Sequence, residues 1–292
     1  MKKIFFIILN YNNYSDTKSC IESITKNRDK RFSIIIVDNK SSDGSGVKLK
    51  KEYPQYTHIF CEINGGYAAG NNAGIKYAIE QGADYICLIN NDAIIPDYFV
   101  ERALKVLEQR EDCEIISPVV CDYEKREYVQ SAGSKMSLIK AVGPGLHQGE
   151  LADEVSLDGD KPDYLSGACF IVRKEAFLKN GLLPEFYFLY YEETDWFFSA
   201  RKKGIVFACD TRLRCYHKES ATVNRVKGIQ NRYSTRNMVI FERRHANYYQ
   251  FIIFFIYSIS RWIYHFIKSK KVIFPLKPFW EGLFFDWKER IK

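Results

Sequence analysis

Four short polar clusters in the first third of the chain each follow an apolar run. Asn10-Tyr11-Asn12-Asn13 follows residues 4–9, and Asp38-Asn39 with Ser41-Ser42-Asp43-Gly44 follows residues 33–37. Asn64-Gly65-Gly66-Tyr67-Ala68-Ala69-Gly70-Asn71-Asn72 follows residues 59–61, and Asn90-Asn91-Asp92 follows residues 85–89. Asn, Asp and Gly dominate turns, so each cluster alone reads as turn chemistry. Four in succession at one edge of one sheet would converge on a polar pocket. Small residues over 65–72 let a ligand approach the backbone, and free N–H groups at a helix start attract anionic groups. Close helix–sheet packing explains Ala68 and Ala69 equally well. A fifth cluster, Glu192-Glu193-Thr194-Asp195, opens a helical pattern. Acids there favour the helix dipole, and an adjacent pair can also push one pKa up towards neutrality, which suits proton acceptance.

The elements that must position these clusters follow from apolar periodicity. Residues 4–9 and 33–37 are continuous apolar runs, as expected of strands covered on both faces. Residues 59–61, 85–89 and 115–120 supply three more strands. Ser15 or Asp16 is expected to cap a helix to about Lys26; residues 68–81 are helical, with Gly82 as the stop; Pro96 and Asp97 open a helix ending near Arg110. This alternation predicts an α/β fold with a mostly parallel central sheet and helices on both faces. Ligands of such sheets bind beyond the carboxyl ends of the strands, where the four clusters fall. Residues 121–163 read as hairpins and a long loop without chemistry. Residues 164–173 read as a strand leading into a short helix, 194–203 as a helix stopped by Gly204, and 205–209 as a strand. From about Gln230 the pattern is helical, and no internal repeat occurs. No GxGxxG follows the first strand and no GxxxxGK[ST] occurs, which argues against a dehydrogenase-type dinucleotide fold and a P-loop.

With 292 residues, 46% of them hydrophobic, the chain can bury a full core. The 20 Tyr and 21 Phe suit sugar sites and membrane interfaces as well as a plain core. Net charge is +7 but uneven: residues 201–292 carry 20 Lys/Arg against 6 Asp/Glu, the rest 23 against 30. A basic end meets nucleic acid, anionic lipid or diphosphate, or is simply a solvated face. None of the 8 cysteines forms CxxC, and several sit in apolar runs, as buried thiols of a reducing compartment do. Met1-Lys2-Lys3 precedes only six apolar residues, too short for a signal peptide, so a cytoplasmic protein is expected unless its C-terminal part anchors it. Residues 251–260 are an apolar run of ten, interrupted by Arg261, resumed at 262–267 and followed by Lys268, Lys270 and Lys271. That pattern predicts a helix lying in a membrane interface rather than crossing it, with packing on the catalytic domain or in a dimer as the alternative.

Eight segments carry a specific resemblance: ILNYNN, VDNKSSDGS, NGGYAAGNNAGI, LINNDAIIP, GACFIVRKEAF, FYFLYYEETDWFFSARKKG, YHKES and YSTRNMVIFERRH. In this order, over about residues 4–245, they resemble family 2 glycosyltransferases of the GT-A fold, especially the rhamnosyltransferase-like branch of bacterial surface-polysaccharide enzymes. The resemblance implies a GT-A domain over 1–225, with a nucleotide-sugar half (1–120) and an acceptor half (121–225), then a basic helical appendage over 226–292. It implies that Tyr11 and Asp38 hold the donor base, and that Asn12, Asn64, Gly65, Gly66, Asn71, Asn90 and Asn91 line the donor pocket. Asp92 stands in the family's metal-binding triplet, whose first carboxylate is here Asn90; Asp92, with His217 as a second ligand, would hold Mg2+ or Mn2+ alongside the donor diphosphate. Arg236, or Arg232, would assist the diphosphate. Glu193 occupies the position of the general base, with Glu192 and Asp195 as neighbours able to serve. The implied reaction is a single displacement with inversion, from a dTDP- or UDP-linked sugar to a lipid-linked or oligosaccharide acceptor. It would run at the inner face of a membrane with an anionic surface, with the C-terminal helices also offering an oligomer interface and with no nucleic-acid partner. QxxRW is absent, which favours one sugar per encounter. The rival readings are a sugar-phosphate nucleotidyltransferase and a non-catalytic sugar-nucleotide or lipid-binding protein.

Overall fold

The structure, a computed structural model, describes residues 2–218, 229–269 and 276–287. Its sheet has the strand order β3-β2-β1-β4-β8-β6-β9-β5, with β7 paired to β6. Strands β1 (Ile4–Asn10), β2 (Phe32–Asp38), β3 (Thr57–Phe60) and β4 (Tyr85–Asn90) form its parallel half. β1 lies between β2 and β4 in register, Ile7 facing Ile35 on one side and Leu88 on the other. Alternation then decides which helix covers which residue. Ile7, Ile35, Val37 and Leu88 pack with Ile75 of α3 (Gly66–Glu80) and Phe197 of α6 (Glu192–Lys202). Phe6, Ile8, Ile36, Cys87 and Ile89 pack with Ile21 and Ile24 of α1 (Tyr14–Thr25) and Leu104 and Leu107 of α4 (Phe99–Gln109). Each fully buried side chain of this kind contributes roughly 1.5–3 kcal/mol.

The second half is mixed. β8 (Cys169–Arg173) inserts antiparallel between β4 and β6 (Ile115–Asp122), while β6 pairs parallel with β9 (Phe207–His217). The sheet is mostly parallel, as expected: β6 and β9 run in the direction of β1 to β4, and only β5, β7 and β8 are reversed. A strand buried on both faces, as CFIVR is, has the same apolar signature in either direction. β9 runs past the expected end at Cys209: its register against β6 shifts between Pro118 and Val119, and the Asp210–Arg212 pair (2.7 Å) accompanies the polar stretch. β5 (Ala93–Ile94) pairs with the far end of β9, and β7 (Val129–Ser131) with β6.

Three local expectations change. Asn13 caps α1 in place of Ser15 or Asp16, its Oδ1 accepting from the Asp16 N–H at 3.4 Å. α2 (Ser45–Glu52) was not legible, because SGVKLKKE carries only Val47 and Leu49 as apolar residues and is held by buried Leu49. α3 starts at Gly66, two residues early. Residues 121–163 do form β7 and a series of bridged turns. α5 (Lys174–Asn180) and a 3-10 turn (Glu185–Tyr187) lead into α6.

The C-terminal part forms α7 (Ile229–His245), α8 (Tyr248–Ser269) and α9 (Leu276–Phe284). Val239, Phe254 and Phe279, one from each, bury a small core with Ala141. The division expected at 225/226 lies outside the described residues. α8 is continuous through Arg261 and, by length and composition, is long and apolar enough to cross a membrane, with 12% of its apolar window buried.

Candidate active site

The parallel strands deliver their polar ends to one cavity of about 460 Å³. The first half of the chain contributes Leu9, Tyr11, Asn39, Asn64, Gly66, Asn90, Asn91 and Asp92 to its lining; the second half contributes Gly167, Phe188, Tyr190, Glu192, Glu193 and His217.

Within the first half the strand ends are cross-linked. Asn10, fully buried, donates to Asp38 Oδ1 (2.8 Å) and Ser45 Oγ (2.9 Å). Asp38 Oδ2 accepts from the Ser41 N–H at 3.0 Å, so both its oxygens are engaged behind the cavity wall. Asn12, in the left-handed region at φ 50°, accepts from the Ser42 N–H at 2.8 Å and ties the first two strand-end loops together. Asn39 donates to Asn64 Oδ1 (2.8 Å) and to the Gly66 carbonyl (3.1 Å), while Asn64 Oδ1 also accepts from the Gly66 N–H (3.0 Å). This pair of amides pins the start of α3. Gly65 is the N-cap residue of that helix, and Asn71 turns inward to the Tyr67 carbonyl (3.0 Å).

Asp92 and His217 meet because Ala93 pairs with His217 across β5 and β9. Asp92 Oδ1 lies 3.2 Å from His217 Nε2, and Asn90 Nδ2 lies 3.3 Å from the same nitrogen. Gln130 Oε1 faces His217 Nδ1 at 2.8 Å. A proton on Nδ1 satisfies Gln130 Oε1, and in that tautomer the Nε2 lone pair is available on the side of Asn90 and Asp92. Asn91 donates to Thr17 Oγ1 at 3.0 Å, which in turn donates to Asn10 Oδ1 at 2.9 Å. A carboxylate oxygen and an imidazole lone pair at one point of a cavity wall are chemically suited to a divalent cation. Among the described residues no group of three His, Cys, Asp or Glu gathers, so other ligands would have to come from a bound substrate or water.

In the second half, α6 opens with Glu192 and Glu193. Glu192 is 2% exposed, and one carboxylate oxygen of each glutamate is buried without a hydrogen-bond partner among the described residues. Burial, then the neighbouring Glu193 charge, pushes Glu192 well above the usual carboxylate range. Burial raises Glu193 as well. The pair therefore titrates as a unit, and burial holds its first proton above the ordinary carboxylate range. Glu193 rests against the bare Cα of Gly167, where a Cβ would stand 2.7 Å from Oε1. Asp195 points away, accepting from Tyr187 Oη (2.6 Å) and Arg244 Nε (2.6 Å) beside His245 (3.1 Å). Arg236 does not line the cavity either: it is buried on α7, donating to Asn237 Oδ1 (2.8 Å) and the Phe186 carbonyl (3.2 Å). Arg232 pairs with Glu281 at 3.3 Å.

Sequence reasoning named Asn39 only within its strand-end cluster and missed Gln130, Gly167 and Asn237. Asn39 adjoins a residue it singled out; Gln130 stands in a stretch without periodicity, where no signal marks it.

This fold, with its cavity at the switch from the parallel to the mixed half, is that of the GT-A glycosyltransferases. S. aureus TarS 1-349 in complex with UDP-GlcNAc matches at a TM-score of 0.62 and 16% identity, over 96% of this chain and 79% of that one. GalNAc-T7 with UDP, GalNAc and Mn2+ matches at 0.63 and 13%, over 82% and 47%. At such identities the likeness is one of fold. The family model for glycosyl transferase family 2 matches residues 5–181, and the chain belongs to that family. The low-salt glycan biosynthesis hexosyltransferase of Haloferax volcanii is 29% identical over 203 residues, 68% of this chain and 62% of the relative. The dTDP-rhamnosyl transferase of Shigella flexneri is 26% identical over 216 residues (73% and 68%). The N-acetylglucosaminyl-diphospho-decaprenol L-rhamnosyltransferase of Mycobacterium tuberculosis is 23% identical over 193 residues (60% and 62%). The chain thus spans roughly two thirds of the length of these relatives.

Proposed function

We propose that the chain transfers one sugar, with inversion, from a dTDP- or UDP-linked donor to a lipid-linked or oligosaccharide acceptor of surface-polysaccharide synthesis. The observation that carries this reading is that Asp92 and His217, 3.2 Å apart, share one cavity with the adjacent Glu192 and Glu193. The names of the Shigella and Mycobacterium relatives support a dTDP-rhamnose donor and a polyprenyl-diphosphate acceptor.

Tyr11 and Asn64 face the donor, Tyr11 with a ring able to stack on a pyrimidine. Asp38 shapes that side from behind the wall. Asp92 and His217 would hold a Mg2+ or Mn2+ ion, which when bound neutralises charge on the nucleoside diphosphate. Glu193 accepts the proton of the acceptor hydroxyl as its O–H bond breaks. The freed oxygen bonds to the anomeric carbon while the bond to the diphosphate oxygen breaks, its electron pair leaving with the nucleotide. A proton on Glu192 beside it would leave the pair one negative charge rather than two. α8 would lie on the inner membrane face, presenting Ile252, Ile253, Ile256, Ile263, Tyr264 and Phe266, all exposed. A panel of nucleotide-sugars with Mg2+ or Mn2+ and a polyprenyl-diphosphate-sugar acceptor tests the reading. Release of nucleoside diphosphate coupled to acceptor glycosylation is the expected result; release of pyrophosphate from a nucleoside triphosphate and a sugar phosphate would overturn it.

A further inference from the structure

We infer that Asn237 is a positioning residue, the clamp that fixes the 186–191 loop as the shared wall between the donor side and the proton-accepting pair. This rests on the glycosyltransferase reading above. The loop is an unlikely conformation for its sequence. Phe188, Tyr190 and Tyr191 stand at φ 68°, 69° and 74°, a region that bulky side chains enter only when held there. The Phe188 carbonyl accepts from the Tyr67 N–H at 2.9 Å, and a Cβ on Gly66 would stand 2.0 Å from it, so the loop is seated on the start of α3. Four residues after Phe188 the same backbone becomes the first turn of α6 and carries Glu192 and Glu193. A displacement of this loop therefore moves the acids and the α3 start together.

What holds it comes from outside the catalytic sheet. Asn237 on α7 is fully buried and does not line the cavity. The two N–H groups of its Nδ2 are shared among three carbonyls of the loop, Tyr187 (2.9 Å), Leu189 (2.8 Å) and Tyr190 (2.9 Å). Its Oδ1 accepts from Arg236, whose guanidinium reaches the Phe186 carbonyl and lies 4.2 Å from the Phe285 ring centroid. A carboxylate at 237 would set negative oxygen against carbonyl oxygen, and an alanine would leave the three carbonyls, that of Tyr187 buried, without this donor. By this route the helical appendage, through α7, sets the geometry of the chemistry without touching substrate.

The test compares Asn237→Ala and the milder Asn237→Ser with wild type and with Asn180→Ala. Asn180 makes a similar amide-to-carbonyl bond, to Trp196 at 2.9 Å, away from the cavity, so its loss controls for general destabilisation. The readouts are kcat and donor KM, and amide hydrogen exchange over residues 187–195. Asn237→Ala is expected to lower kcat about 10²-fold, the scale of a small misplacement of reacting groups, with donor KM changed less than about 3-fold and faster exchange over 187–195. Asn237→Ser, which keeps one donor, should fall between, and Asn180→Ala should keep wild-type kcat. Wild-type kcat and unchanged exchange in both Asn237 variants would overturn the clamp. If wild type itself transfers no sugar, the function reading fails, and the exchange comparison of Asn237→Ser with Asn180→Ala still decides the clamp by itself.

Discussion

At the scale of single residues the account rests on two contrasts. Glu192, buried, and Glu193, half-buried beside it in the cavity lining, are adjacent and mutually repulsive, so the pair shares its first proton. Glu193→Gln is expected to bind donor normally and lose roughly 10²–10⁴-fold in kcat, the usual worth of a positioned proton acceptor. Because burial raises the Glu193 pKa, activity should fall on acidification at a pH above the ordinary glutamate range; a kcat–pH profile flat through that range would assign the proton elsewhere. The second contrast is at His217, where Gln130 fixes which nitrogen faces Asp92. Gln130→Ala should weaken Mn2+ binding in the presence of UDP by about 10-fold or more, as loss of an orienting partner commonly does. Calorimetric titration reads this without turnover, and unchanged affinity would remove Gln130 from the role. Asp92 and the glutamates were legible because LINNDAIIP and FYFLYYEETDWFFSARKKG resemble the family's motifs; by residue type alone, turn chemistry and the helix dipole account for them. Gln130, Asn39 and Asn237 were not, because an amide that works through a neighbour's backbone or ring looks in sequence like any polar residue.

At the scale of elements, β1, β2 and β4 were legible because residues covered on both faces write long apolar runs, and their ends had to turn with Asn, Asp and Gly; β3, a half-buried edge strand, showed only a short apolar signal. The direction of β8 and the length of β9 were not, since both depend on pairings far away in sequence. α7 shows the same limit: its RN pair reads as an exposed helix face but is buried against the 186–191 loop. α7 also carries Glu242, fully buried, with neither carboxylate oxygen hydrogen-bonded among the described residues. Burial pushes its pKa up from 4.5 to about 8. Between those values the folded chain keeps a proton that the unfolded chain releases, so stability is full below about pH 4.5 and is lost as pH rises through about 8. Glu242→Met should raise Tm by roughly 2–4 °C at pH 8 and by less at pH 5. Thermal scans at the two pH values check this, and equal shifts at both would show that ionisation of Glu242 is not what costs stability.

At the scale of the whole molecule, charge and apolar surface collect at the C-terminal end. α8 exposes isoleucine and aromatic side chains beyond the small core it shares with α7 and α9, and Trp280 and Phe284 stack on the outside of α9 at 6.0 Å. Lys268 ends this surface, and Lys270 and Lys271 follow in sequence. Lysines at an anionic surface contribute about 1 kcal/mol each and are screened by salt, while the apolar face adds a salt-independent part. Binding to liposomes should rise with anionic lipid and weaken, without vanishing, in high salt. Replacing the three lysines with Gln should reduce it and spare transfer to a soluble acceptor; protein that ignores anionic liposomes without detergent would place this helix against protein instead. The central claim, a cation-assisted sugar transfer built on Asp92, is tested most directly by one comparison. Nucleoside diphosphate release from the preferred nucleotide-sugar is measured for wild type and Asp92→Asn, with Mn2+ and with excess chelator. The account predicts release by wild type with Mn2+ only, and none by Asp92→Asn at unchanged Tm. Full release in chelator, or by the variant, would contradict it.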